Sequence, residues 1–376
     1  MRVLFDGFPF GGHFGGVSRY CASLVQHLND DTPCTARILV PFSRNEHLRN
    51  VSWRYVYGVR VPRWIASSYC EKASRVISPI VARWLRSDVL HETYYRAEPS
   101  LRRITKRVTT VHDMIHERLE LDEGSSAIKA ASVNRSDHVI CVSENTRRDL
   151  VELLRVPEEK TSVVYPACED FGALARSCVG TARINKGRPF VLHVGRRGGY
   201  KNFDGAVRAL AAAGPVVGDM DLVSFGKSRF RAEELELARK GGLDPDRLVQ
   251  TSGSDARLAQ AYASATALIL PSLHEGFGFP ALEAMSAGCP VICSDASCIP
   301  EVVGDAGLYF DPMSVESMRH AIETIATDDA LRSDMIARGH RRWREFSWAR
   351  SARETFAVYR NVLEQGIGRT PRSETQ

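Results

Sequence analysis

Two successive runs of short strand-like segments, each followed by turn chemistry or helical spacing, constrain this chain more than any other feature. The first run holds Arg2–Phe5, Arg37–Val40, Asp88–Leu90, Val108–Val111, His138–Val142 and Ser162–Tyr165. After the first strand, apolar residues at Val17, Tyr20, Cys21, Leu24, Val25 and Leu28 recur at helical period. The second run holds Phe190–Val194, Asp221–Phe225, Leu248–Gln250, Ala267–Leu270, Pro290–Cys293 and Gly307–Phe310. Alternation of this kind builds a parallel sheet whose functional loops leave the carboxyl ends of the strands. The fold class is therefore α/β, with two Rossmann-like doubly wound domains expected to face a central cleft. The segment between Pro166 and Lys186 loses periodicity and reads as the linker, which sets the domains at 1–168 and 185–349. Residues 367–376 read as a flexible tail.

Size and composition narrow the function. A chain of 376 residues exceeds what one core usually fills. Its 44% hydrophobic and 25% charged residues are ordinary for a globular protein and exclude a disordered or fibrous chain. No apolar run reaches the roughly 20 residues a spanning helix needs, and MRVLFDGFPF lacks a secretory layout, so the expected location is the cytoplasm. The nine cysteines show no paired CxxC spacing for zinc, and reduced structural thiols are expected. A net charge of +5 makes no demand for nucleic acid.

Charge is nevertheless uneven. From Val51 to Arg107 twelve basic residues stand against four acidic ones, interleaved with Trp53, Tyr55, Tyr57, Trp64, Tyr69 and Trp84. Such a mixture suits peripheral contact with an anionic membrane on the inner face of the plasma membrane, and equally suits a solvated face with its aromatics turned into the core.

The most informative stretch is HEGFGFPALEAMSAGCPVICS, starting at His274. A buried strand runs into a glycine-bearing turn, and Pro280 suits the first turn of a following helix. Gly276 and Gly278 let backbone approach a ligand closely, and a helix N-terminus there favours anions and hydroxyls. Glu275 lies before the helix and Glu283 one turn inside it, so the two carboxylates can address different parts of one elongated ligand. This pattern resembles the signature of the retaining family-4 glycosyltransferases, the group that includes glycogen and sucrose synthases and has the two-domain GT-B fold. The resemblance covers nearly the whole chain. It implies that Glu275 touches donor-sugar hydroxyls and that Gly276, Phe277, Gly278, Phe279 and Leu282 line the sugar and phosphates. Glu283 would then accept bonds from the ribose.

Further motifs acquire roles in the same way. His193-Val-Gly-Arg196-Arg-Gly-Gly-Tyr-Lys201-Asn202 ends a strand with glycines and cations. A cation ~4 Å from a departing diphosphate is worth roughly 4 kcal/mol at an effective dielectric near 20, before desolvation. Arg196 and Lys201 could thus replace a metal, with Arg197 as a rival, and no metal or other cofactor is expected. Gly11-Gly-His-Phe-Gly15-Gly16-Val-Ser-Arg19 lacks the GxGxxG spacing of a dinucleotide site. The family would set Gly15 and Gly16 against the diphosphate, with Arg19, Asp113 and Asn145 on the acceptor side. His112 follows a strand, where a histidine is otherwise more often structural; in the family its counterpart contacts the donor sugar. Ser143 is a possible helix cap. Gly226, Lys227, Thr251 and Ser252 end strands where the family keeps its nucleobase. Phe346-Ser-Trp348 with a helix at about 350–366 resembles the family ending that crosses back to the first domain; a plain terminal amphipathic helix is the alternative.

The resemblance implies transfer from a nucleotide-diphosphate sugar to a lipid-linked or oligosaccharide acceptor, with an α linkage. Tyr200-Lys-Asn resembles a subset using mannose-like or rhamnose-like donors in surface-polysaccharide assembly, and a GDP-sugar such as GDP-mannose is favoured. Front-face substitution, in which a phosphate oxygen takes the acceptor's proton, is expected over double displacement, because Glu275 belongs at the hydroxyl edge and no nucleophile is evident. A nucleotide-sugar epimerase or hydrolase, and a silent nucleotide-binding protein, are the alternatives.

Overall fold

A computed structural model of the chain describes residues 1–10, 15–49, 51–62, 64–65, 67–82, 84–96, 106–177, 184–185 and 187–367, with backbone alone at 67, 71, 75, 79, 366 and 367. The chain divides into two compact units, residues 1–166 with 347–376, and residues 167–346.

The first unit is built on seven parallel strands: β1 (Arg2–Asp6), β2 (Thr35–Ser43), β3 (Val56–Arg60), β4 (Val89–Glu92), β5 (Lys106–Val111), β6 (His138–Cys141) and β7 (Thr161–Val163), ordered β3-β2-β1-β4-β5-β6-β7. The second has six: β8 (Phe190–Val194), β9 (Asp221–Phe225), β10 (Leu248–Thr251), β11 (Ala267–Leu270), β12 (Val291–Ser294) and β13 (Gly307–Phe310), ordered β10-β9-β8-β11-β12-β13. Both contain the 3-2-1-4-5-6 winding of a doubly wound sheet. Most of these strands read as near-continuous apolar runs, because helices cover both faces and leave no face for water. In the second unit Val191, Leu222, Ile269 and Ile292 join Phe203, Val207, Leu210 and Ile322 from covering helices in one core.

Three elements depart from the sequence expectation. The strand Val56–Arg60 and the helix Ser67–Ala82 were not anticipated from the basic, aromatic stretch that contains them. The supposed linker holds a seven-residue helix, Phe171–Ser177, too short to display a period. Its Phe171 is buried, meets the Tyr262 ring edge-on at 5.7 Å, and donates its N–H to Ser286 Oγ at 3.1 Å. It is thus part of the second unit's core. The tail positions 368–376 lie outside the described residues.

The last helix, Trp348–Ile367, belongs to the first unit and packs on the Gly16–Asp31 helix. Trp348, Ala352, Tyr359 and Val362 are its buried stripe. Tyr359 Oη meets His91 Nδ1 at 2.5 Å, while His91 Nε2 meets Thr110 Oγ1 at 2.7 Å. A wholly buried polar chain therefore ties helix to sheet.

Candidate active site

In a doubly wound sheet, ligands sit beyond the carboxyl ends of the strands where the winding reverses. In the second unit that point lies between β8 and β11, whose exits are the loops Gly195–Lys201 and Pro271–Gly278. Lys201 closes the first loop and Glu275 the second, and their side chains meet: Lys201 Nζ donates to Glu275 Oε1 at 2.5 Å. Ser272 Oγ donates to the same oxygen at 2.6 Å. The Glu275 backbone is held by a third loop, after β12. Its N–H donates to Ser297 Oγ at 2.9 Å and its carbonyl accepts from Cys298 Sγ at 3.1 Å. Both charged side chains are largely buried. Burial, the largest single influence, pushes the Lys201 ammonium down, but the Glu275 charge and hydrogen bond, with Tyr200 and Cys298 nearby, together outweigh it and hold its pKa above the ordinary value.

The turn after Glu275 is shaped by backbone geometry. Gly278 caps the Phe279–Ser286 helix at φ 89°, a left-handed conformation that side-chain-bearing residues rarely adopt, and Pro280 follows inside the first turn. Phe277 is buried, edge-on to Phe279 at 5.2 Å and to Phe346 at 5.8 Å. Leu282 is fully buried, because the helix turns that side toward the unit's interior. Glu283, also buried, accepts from Tyr262 Oη at 2.9 Å.

Arg196 and Arg197 are equivalent in sequence and opposite in structure. Arg196 is exposed. Arg197 is buried over the Phe230 ring at 4.5 Å, donates to Glu234 Oε1 at 3.1 Å and caps the Ser228 carbonyl at 2.8 Å. It anchors the 228–231 loop and is occupied in doing so. At the exits of β9 and β10, Gly226 donates to the Thr251 carbonyl at 2.8 Å. A Cβ on Gly226 would stand 3.0 Å from the Gly195 carbonyl oxygen at the exit of β8, so a side chain there would have to push that backbone back by a few tenths of an ångström. Lys227 and Ser252 are exposed beside it and Thr251 half-buried.

The first unit places the remaining candidates. His112, just past β5, bonds through Nε2 to the Thr93 carbonyl at 2.9 Å, which makes Nε2 the protonated nitrogen. Burial pushes its pKa down to about 4, so the ring is neutral near pH 7. Tyr20 meets it edge-on at 4.9 Å. Asp113 accepts from the Ile115 N–H at 3.3 Å, and its carbonyl receives the buried Lys129 ammonium at 2.8 Å. Gly15 and Gly16 open the first helix, exposed, and Arg19 is half-buried one turn on; residues 11–14 lie outside the described residues. Asn145 is buried, with its amide donating to Asp149 Oδ2 at 3.1 Å within its own helix. Ser143 caps that helix by accepting from the Thr146 N–H at 3.0 Å.

Sequence reasoning missed Ser272, Ser297, Tyr262, Lys129 and the Asp6–Arg96 pair, whose Nε and Oδ2 are 3.0 Å apart at the first unit's winding reversal. Ser272 lies two residues before the quoted motif, close enough along the chain to be legible beside it. Ser297 carries no local signal. Among the described residues no group of three or more His, Cys, Asp or Glu side chains converges as metal ligands.

Twin parallel sheets of this winding, one with an acid and a cation locked together at its reversal point, are the two Rossmann-like halves of a GT-B fold. A sequence profile described as Glycosyltransferase Family 4 matches residues 14–169, and one described as Glycosyl transferases group 1 matches residues 180–342. The chain belongs to this family of GT-B glycosyltransferases. It is 28% identical over 305 residues to O-antigen chain mannosyltransferase B of Escherichia coli, covering 77% of this chain and 79% of the relative. Over 249 residues it is 27% identical to the serotype-specific mannosyltransferase WbdA of Escherichia coli, covering 63% of this chain but 30% of that longer protein. A sucrose-phosphate synthase from Thermosynechococcus elongatus superposes with a TM-score of 0.74 at 20% identity, covering 97% of this chain and all of the other, a likeness of fold.

Proposed function

We propose that the chain transfers a hexose, with mannose from GDP-mannose as the leading candidate, to a lipid-linked or saccharide acceptor in surface-polysaccharide synthesis. The transfer retains configuration, forms an α linkage and relies on fixed cations at the diphosphate. The mannosyltransferase relatives support the sugar and the pathway class. The single observation that carries the reading is the Lys201–Glu275–Ser272 cluster at the winding reversal of the second unit.

In this reading Glu275 accepts from donor-sugar hydroxyls, and Lys201 with exposed Arg196 offsets the charge that grows on the leaving diphosphate. The Gly276–Gly278 turn and the following helix N-terminus face the phosphates, and Glu283, oriented by Tyr262, receives the ribose. The nucleobase lies toward Gly226, Lys227, Thr251 and Ser252. Each carboxylate binds while the anomeric carbon is left to front-face attack, so catalysis rests on position and charge. The neutral His112 ring, with Nε2 bound to Thr93, offers Nδ1 as its remaining polar atom to a sugar hydroxyl.

Glu275→Gln and Lys201→Ala should each lower kcat by more than about tenfold, a barrier increase above about 1.4 kcal/mol. Normal transfer by either variant would overturn the assignment. A thermal-shift comparison of GDP, UDP, ADP and TDP fixes the donor, with the largest stabilisation expected from GDP. Release of free sugar without a glycosylated acceptor would make the chain a hydrolase.

A further inference from the structure

We infer that the Ser67–Ala82 helix is a docking face for an anionic lipid bilayer, lying in the plane of the headgroups. A step of about 100° per residue sets Tyr69, Lys72, Val76 and Ile80 within one arc of roughly 80°. All four are exposed: Tyr69 at 69%, Val76 at 68% and Ile80 at 56%, with Lys72 among them. The opposite arc is the packed one, with Cys70 buried and Val81 set against Leu4, Leu39 and Leu90 of the sheet. Trp64 precedes the helix and Trp84 follows it, exposed at 83% and 84%. An outward stripe of large apolar side chains is thus bracketed by an indole at each end.

A solvated face does not need this composition. Three of the chain's five tryptophans, Trp53, Trp64 and Trp84, stand in solvent within residues 53–84, and contiguous apolar exposure marks an interaction surface. The charge identifies the partner. Between Val51 and Arg86 the sequence carries seven basic residues and one acidic residue, Glu71, and the described Arg54, Arg60, Lys72 and Arg86 are exposed. Indoles settle at the headgroup level and cations are drawn to anionic lipid, whereas a spanning segment needs a longer and wholly apolar helix. Among the described residues no helix is long and apolar enough to cross a membrane. The surface uses none of the residues assigned to glycosyl transfer, so it holds whichever sugar is moved.

The full chain should sediment with phosphatidylcholine vesicles containing phosphatidylglycerol at least about tenfold more strongly than with phosphatidylcholine alone, with a blue shift of indole emission and weakening at high salt. The double substitution W64S/W84S should abolish the shift and lower partitioning by a similar factor. K72E/R86E should erase the preference for anionic lipid. Val76→Asp, a single exposed change, serves as an independent variant, with circular dichroism melting confirming that each folds. Failure of the parent to bind vesicles, or undiminished binding by these folded variants, would overturn the inference. So would concentration-dependent self-association that the same substitutions remove, which would assign the face to a second copy of the chain.

Discussion

The Glu275 carboxylate owes its orientation to its neighbours. Lys201 and Ser272 both donate to Oε1, and the loop after β12 fixes the backbone from behind. A hydrogen bond to a charged group contributes about 1.5–3 kcal/mol, so Ser272→Ala should release the carboxylate from one of its constraints without removing its charge. We expect kcat to fall at least about fivefold while nucleotide affinity, read by thermal shift, stays within about twofold. An unchanged kcat would remove Ser272 from the positioning of Glu275. How legible these residues were depends on distance along the chain. Ser272 sits three positions from Glu275, just before the motif. Ser297 lies 22 positions away, and it reaches Glu275 because β12 is β11's neighbour. Arg196 and Arg197 differ in nothing that a local pattern shows; Phe203, Phe230 and Glu234 decide which of them is buried.

Elements were easier to read than side-chain partners. The strands at 190–194, 221–225, 267–270 and 307–310 appear where alternation and apolar runs placed them, because a strand buried on both faces writes its character into consecutive residues. The edge strand Val56–Arg60 escaped notice because its half-exposed residues include a glycine and an arginine. The terminal helix was legible as amphipathic, but its lock onto the sheet was not. Tyr359→Phe would leave His91 Nδ1 buried without its partner, a cost of about 1–3 kcal/mol. The first unit should then melt a few degrees lower, and His91→Gln combined with it should cost less than the two changes added, since they break one chain. Full additivity in a double-mutant cycle would show that the contact carries no coupling.

At the scale of the molecule, acid should undermine the first unit before the second. Burial pushes the His91 and His193 rings down to about 3 and His112 down to about 4, from an ordinary 6.5. Unfolding frees these rings to bind protons, so below pH 6.5 the unfolded chain takes up more protons than the native one. Their contribution to stability is complete above pH 6.5 and is lost as pH falls toward 4 and 3, at about 1.4 kcal/mol per pH unit for each ring. Two of the three lie in the first unit. Urea unfolding at pH 7 and pH 5, followed by circular dichroism and indole emission, should show a lower midpoint at pH 5, and an unchanged midpoint would refute the burial of these rings.

By itself the sequence determined the two α/β units, the parallel winding and the acid-bearing turn at 275–283. Each of these is written in residues close together along the chain: an apolar run, a glycine, a proline one turn on. Tertiary structure decided which arginine is exposed, that Leu282 turns inward and Asn145 serves its own helix, and that Trp64 and Trp84 stand in solvent. Those outcomes depend on which strands become neighbours and which helix face meets the sheet. Such contacts join residues tens of positions apart, and no local period records them.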